Sequence, residues 1–144
     1  MEYSEDAVIA FSRGPFGFEE ERRFLPIEIP EIRPLVFLQS LFTPNLCFLS
    51  LPVLVVDPGY RLAMSPEDVE AIGLPAERAP RIGEDVLCLT LLTVQEKQPT
   101  TANLLAPVVV SLRDRRAVQA ISADPAYSHR HIFLEPCEEE AVCS

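Results

Sequence analysis

Apolar residues along this chain come in short runs, each closed by proline or a polar turn, and within the runs apolar and polar positions alternate. A period of two is the signature of β-strands, whose successive side chains point to opposite faces. Leu35–Leu41 is the clearest case. Leu35, Phe37 and Gln39 share one face, and Val36, Leu38 and Ser40 the other. Ala7–Phe11 is a shorter run that ends at the turn chemistry of Arg13-Gly14-Pro15-Phe16-Gly17. Leu46–Val56 and Asp85–Val94 are apolar at both parities, as expected of strands buried on both faces. Pro52 interrupts the first of these, because proline cannot donate to a ladder, and a bulge or a crossing between sheets is expected there.

Asn103–Leu112 reads as a long strand broken at Pro107, with Gln95–Thr101 a polar connection before it. Ala117–Ile121 should pair with it as a hairpin across Arg113-Asp114-Arg115-Arg116, and His131–Leu134 gives a last short strand. Helical signals are few. Phe18–Leu25 can make one or two turns with Glu19 and Arg23 four apart, before Pro26, Pro30 and Pro34 enforce an extended crossing. Ser65, Pro66, Asp68 and Gly73 supply the cap, first position and stop of one short helix, with Val69 and Ile72 on its apolar side. No internal repeat appears. The elements describe an all-β, mostly antiparallel barrel or sandwich with one or two short helices.

At 144 residues and 48% hydrophobic content the chain can bury one core. A single domain over residues 1–134 is expected, followed by an acidic, flexible tail over 135–144. No apolar run reaches membrane-spanning length, and Met1–Asp6 lacks the basic segment of a signal peptide, so a cytoplasmic protein without membrane attachment is expected. The charge changes the picture more. With 22 acidic against 12 basic residues the net charge is −10, which disfavours direct nucleic-acid binding and suits a basic protein partner. Cys47 and Cys88 lie in apolar runs and read as small core residues. Cys137 and Cys143 flank Glu138-Glu139-Glu140 without the spacing of a zinc site.

Candidate chemistry is sparse. His129 and His131 alternate by two and would share one face of a strand, but no third ligand has a matching signature, so they read as an edge-strand pair and no metal is expected. Ser128 beside His129 is not a triad, and there is no Gly-x-Ser-x-Gly elbow or glycine-rich phosphate loop. Cys88 could pair with a histidine only if it were not buried. No catalytic residues and no cofactor are expected. Gln39 and Asn103 carry amides that need partners if buried, and Asn103 suits a turn-bracing role. Tyr127 fits either a core edge or a partner anchor.

Several blocks, in order, carry a resemblance. Gly14 with Gly17-Phe18-Glu19, then Leu38-Gln39-Ser40, Pro58 and Tyr60, precede Thr101-Ala102-Asn103-Leu104-Leu105-Ala106-Pro107 and Val108-Val109-Val110. Gln119 with Ile121 and Tyr127-Ser128-His129-Arg130-His131 follow. Together, from Ala7 to Leu134, they resemble the flagellar assembly factor FliW family. Pro15-Phe16 and Val56-Asp57 depart from the family's usual pairs at those places. The resemblance implies a compact β pseudo-barrel and a non-enzymatic regulator that binds two proteins. One is flagellin. The other is CsrA, a small RNA-binding dimer that represses translation of flagellin messenger RNA, so that flagellin level controls its own translation. Glu19, Glu20, Glu21 and Tyr127, Ser128, His129, Arg130, His131 are the candidate partner-binding residues, with the 138–140 carboxylates a second acidic candidate. Gly17, Phe18, Gln39, Asn103, Pro107 and Gln119 are the structural signature. The competing readings are a small-molecule-binding β-barrel and a metal-dependent hydrolase using His129 and His131.

Overall fold

A computed structural model describes residues 3–134 of the chain. Its strands are β1 (Ile9–Phe11), β2 (Arg23–Glu28), β3 (Val36–Ser40), β4 (Cys47–Pro52), β5 (Val86–Thr93), β6 (Thr100–Ala102), β7 (Val108–Ser111), β8 (Arg116–Gln119) and β9 (His131–Leu134). Seven of them run in the order β4-β3-β2-β1-β8-β7-β5, and β5 pairs back onto β4 to close a barrel. Every pairing is antiparallel except β1 with β8. The C-terminal end of β5 continues past the closure, where Leu92 and Thr93 pair with β6 and β6 pairs with β9. This three-stranded flap ends at β9. The all-β expectation therefore holds, with a single parallel contact inside a mostly antiparallel barrel.

Strands that are apolar on both faces serve two cores. Leu89 of β5 and Val108 and Val110 of β7 point into the barrel, where they meet Ile9, Phe11, Phe24 and Leu38. Val86 and Cys88 of β5 and Val109 of β7 point outward under the excursion between β4 and β5, against Val53, Tyr60, Ile72 and Leu104. Burying a Leu, Val or Phe side chain is worth about 1.5–3 kcal/mol. Two cores thus explain the missing alternation in β5, whereas β4, expected to be buried on both faces, buries only Ser50 and Leu51 and leaves Cys47 exposed.

Short helices sit in that excursion. Helix α1 (Val53–Val56) is one turn that begins where Pro52 ends β4, so the expected bulge or crossing at Pro52 is a strand-to-helix junction instead. Helix α2 (Pro66–Ala71) starts with Ser65 Oγ accepting from Asp68 N at 3.1 Å and buries Val69. It stops at Gly73, whose φ of +81° lies in the left-handed region that favours glycine.

Other expectations are corrected or refined. Residues 18–22 form turns, not helix, and β2 begins at Arg23, because Glu19 turns back to the Gly17 amide and Arg23 pairs with Glu5. Pro26 lies inside β2, tolerated because β1 covers only Phe24 and Arg23 and leaves that edge open. Thr100–Ala102 is a strand, although three residues are too few to show an alternation. Asn103–Pro107 is a loop, and the strand expected from Asn103 begins at Val108. Cys88 is a core residue, but Cys47 is exposed at the hairpin end of β4, beyond the packed part of the barrel. Cys137, Cys143 and the acidic tail lie outside the described residues.

Candidate functional site

A loop made rigid by its own backbone builds one wall of the candidate site. Residues 12–22 leave β1 and fold back on themselves, with Gly14 N donating to Glu19 O, Phe18 N to Pro15 O and Glu21 N to Phe18 O. A Cβ on Gly14 would lie 2.2 Å from Glu21 O and 2.3 Å from Phe18 O, so only glycine allows this closure. The closed loop presents Phe16 outward, 51% exposed. Phe16 N donates to Gln119 Oε1 at 2.8 Å, and Gln119 Nε2 donates to Ala106 O at 2.9 Å. Gln119, almost fully buried at the end of β8, therefore ties this loop to the Asn103–Pro107 loop.

Asn103 shapes the opposite side. Its Oδ1 accepts from Ala106 N at 2.9 Å, its backbone N donates to Leu91 O, and Thr90 Oγ1 donates to its carbonyl. The loop ends at Pro107, whose carbonyl accepts from Ala120 N. Between the two walls, where the flap peels away from the barrel, lies a cleft of about 480 Å³. Phe16, Phe48 and Leu91 give it apolar surface, and Gln98, Thr101 and Arg130 give it polar surface. Phe48 is held edge-on by Phe18, with ring centroids 5.2 Å apart. Among the described residues, none that lines the cleft is Asp or Glu.

The residues singled out by sequence divide on this frame. His129 and Arg130 line the cleft together with Asn103 and Gln119. Only His131 belongs to β9, while His129 sits in the preceding turn, so the two histidines do not share a strand face. Ser128 Oγ accepts from Arg130 N at 3.0 Å and its carbonyl accepts from Leu104 N, which sets the turn. Tyr127 is away from the cleft. Its ring packs on Tyr60 at 4.4 Å and its hydroxyl accepts from Arg61 N at 2.8 Å. Tyr60 in turn donates to Leu104 O at 2.7 Å, and burial pushes its phenol pKa well up.

The three glutamates differ as well. Glu19 Oε2 accepts from Gly17 N at 2.8 Å, and that hydrogen bond holds its carboxyl below the usual range. Both oxygens of Glu21 are taken, by the Ser40 and Thr43 hydroxyls. There it works with Gln39, whose Nε2 donates to the carbonyls of Ser40, Pro44 and Leu46, to brace the β3–β4 turn. Glu20, among the described residues, makes no side-chain hydrogen bond and is exposed.

Other chemistry finds little purchase. Among the described residues, no group of three or more His, Cys, Asp or Glu is placed to hold a metal ion. Burial pushes the Cys88 thiol up to about 12, which removes it as a nucleophile near neutral pH. The barrel interior is filled by Ile9, Phe24, Leu38, Leu89 and Val108 rather than open to a ligand. No described helix is long and apolar enough to cross a membrane. Sequence reasoning missed Phe16, Phe48 and Leu91 as cleft residues, because apolar runs give no sign of which members stay uncovered.

Comparisons with known proteins agree with this architecture. The family model described as FliW protein matches residues 1–133. The flagellar assembly factor FliW of Bacillus subtilis is 30% identical, over 91% of this chain and 88% of its own. That of Pseudothermotoga lettingae is 32% identical over 96% and 85%. A crystal structure of the flagellar assembly factor FliW superposes with a TM-score of 0.79 at 29% identity, covering 93% of this chain and 90% of that one. A closed barrel, a pinned glycine loop and a sequence match over nearly the whole chain converge on one conclusion: this chain belongs to the FliW family of flagellar assembly factors.

Proposed function

We propose that this flagellar assembly factor is a non-enzymatic cytoplasmic regulator that binds flagellin and antagonises the translational regulator CsrA, coupling flagellin level to its translation. The observation that carries the reading is a contrast in chemistry on one small domain. The chain as a whole has a net charge of −10, yet one cleft is free of carboxylates and partly apolar. Two surfaces of such different character suit two different partners. CsrA must be basic where it meets RNA, and an acidic protein attracts it at long range. Glu20 is a candidate docking group; Glu19 and Glu21 shape the loop that carries it. Flagellin takes the apolar surface or the open edge of β9, where Ile132 and Leu134 are 52% and 55% exposed.

Calorimetry with purified CsrA and flagellin, each alone and in sequence, tests this. Both should bind with defined stoichiometry, and saturation with flagellin should abolish CsrA binding. CsrA affinity should fall steeply between about 0.05 and 0.5 M salt, whereas flagellin affinity should barely change. Failure of either protein to bind defeats the reading.

A further inference from the structure

The cleft beside the glycine loop has a selectivity written into its lining. Arg130 stands at its margin with an exposed side chain, and His129 precedes it. Among the described residues, Arg23, Arg33, Arg78, Arg81 and Arg113 are engaged in ion pairs, and Arg130 is not. Thr101 and Gln98 add neutral donors and acceptors and the Asn103 Nδ2 a donor, its Oδ1 being taken by Ala106 N, while Phe16, Phe48 and Leu91 supply apolar contact. Gln119, by contrast, spends both ends of its amide on the scaffold.

We propose that this cleft binds an extended peptide segment in which one carboxylate side chain lies between apolar residues. The carboxylate meets the Arg130 guanidinium, whose planar fork matches it in two hydrogen bonds. The neighbouring apolar side chains rest on Phe16, Phe48 and Leu91, and the peptide's backbone pairs with the neutral amides and the Thr101 hydroxyl. Other ligands fit less well. A basic segment would find no carboxylate in the lining to pair with. Phosphate and nucleic acid call for several cations or converging backbone amides, and here there is one guanidinium on a protein of net charge −10. At about 480 Å³ the space suits a few side chains of a segment, within the roughly 300–1,000 Å³ of ordinary ligand sites. The inference deepens the protein-binding reading by naming the chemistry one surface selects, and it does not depend on flagellin or CsrA being the source.

Selection from a random peptide library displayed on phage provides the test, using the full chain, its Arg130→Gln variant and its Phe16→Ala variant. Circular dichroism checks that each variant keeps the wild-type fold, as expected for two exposed side chains. The full chain should enrich peptides with Glu or Asp flanked by apolar residues, and Arg130→Gln should lose the acidic preference. In fluorescence anisotropy, the enriched peptide should bind about tenfold more weakly to Arg130→Gln, and its Glu→Gln counterpart about tenfold more weakly to the full chain. Combining the two changes should cost little more than either alone. No enrichment, enrichment of basic or uncharged sequences, or an acidic preference that survives Arg130→Gln overturns the proposal. These outcomes stand apart from the calorimetry, in which flagellin and CsrA can bind or fail to bind by other surfaces.

Discussion

The barrel and the flap that extends from it share strand β5 but treat apolar side chains in opposite ways. Inside the barrel, Phe24, Leu89 and Val108 are wholly buried, and each strand has two neighbours. In the flap, β9 ends the sheet among the described residues and leaves Ile132 and Leu134 more than half exposed, with the cleft at its base. Closure removes edges and fills the interior, which stabilises the fold but leaves nothing to bind with. Stability therefore resides in the barrel, while the proposed recognition falls to the place where the barrel stops closing.

The sharpest way to break this contrast is to cut into the barrel. Phe24→Ala removes a ring packed against Phe11 and Phe48, and should cost about 3–5 kcal/mol in chemical denaturation, lowering binding only through lost folded protein. The glycine loop comes next. Gly14→Ala forces a Cβ into two carbonyl oxygens, and Gln119→Ala strands the Phe16 amide and the Ala106 carbonyl. Each should cost about 1–3 kcal/mol, and each should impair the cleft beyond that loss by releasing Phe16. A smaller effect is expected at Asp85, which joins the start of β5 to Arg78 and Arg81. Its carboxyl is held below the usual range by the Arg81 amide and the Arg78 side chain. That contribution is present above the unfolded carboxylate value and is lost as pH falls through the lower, folded one. Asp85→Asn should thus be less stable than wild type at neutral pH, and the gap should narrow in acid. Least of all, Ile132→Thr on β9 should change stability by less than about 0.5 kcal/mol while still weakening any partner that uses that edge.

How far the sequence could be read follows the same division. Alternation in Val36–Ser40 revealed a barrel strand because one face is buried and the other only partly so. Of the two runs apolar on both faces, Asp85–Val94 marked β5 correctly because two cores flank it, whereas Leu46–Val56 is not buried on both faces: Cys47, Leu54 and Val55 are exposed. Around the cleft the local signal failed. Thr100–Ala102 is too short to alternate, and Asn103–Pro107 is apolar enough to pass for strand although the Asn103 side chain turns it. Glu19 and Arg23 sit at helical spacing, yet their partners are Gly17 and Glu5. Arg130 and Gln119 could be named from the resemblance, but the cleft between them depends on contacts 103 positions apart in the chain, such as that of Phe16 with Gln119. Local patterns report burial well. They do not report which distant loops meet.

Competition between the two proposed partners bears most directly on the account. CsrA is titrated into the purified protein alone, and then into protein saturated with flagellin, at low salt in a calorimeter. The account expects stoichiometric CsrA binding in the first titration and none in the second. Absence of CsrA binding in the first, or undiminished binding in the second, would contradict it.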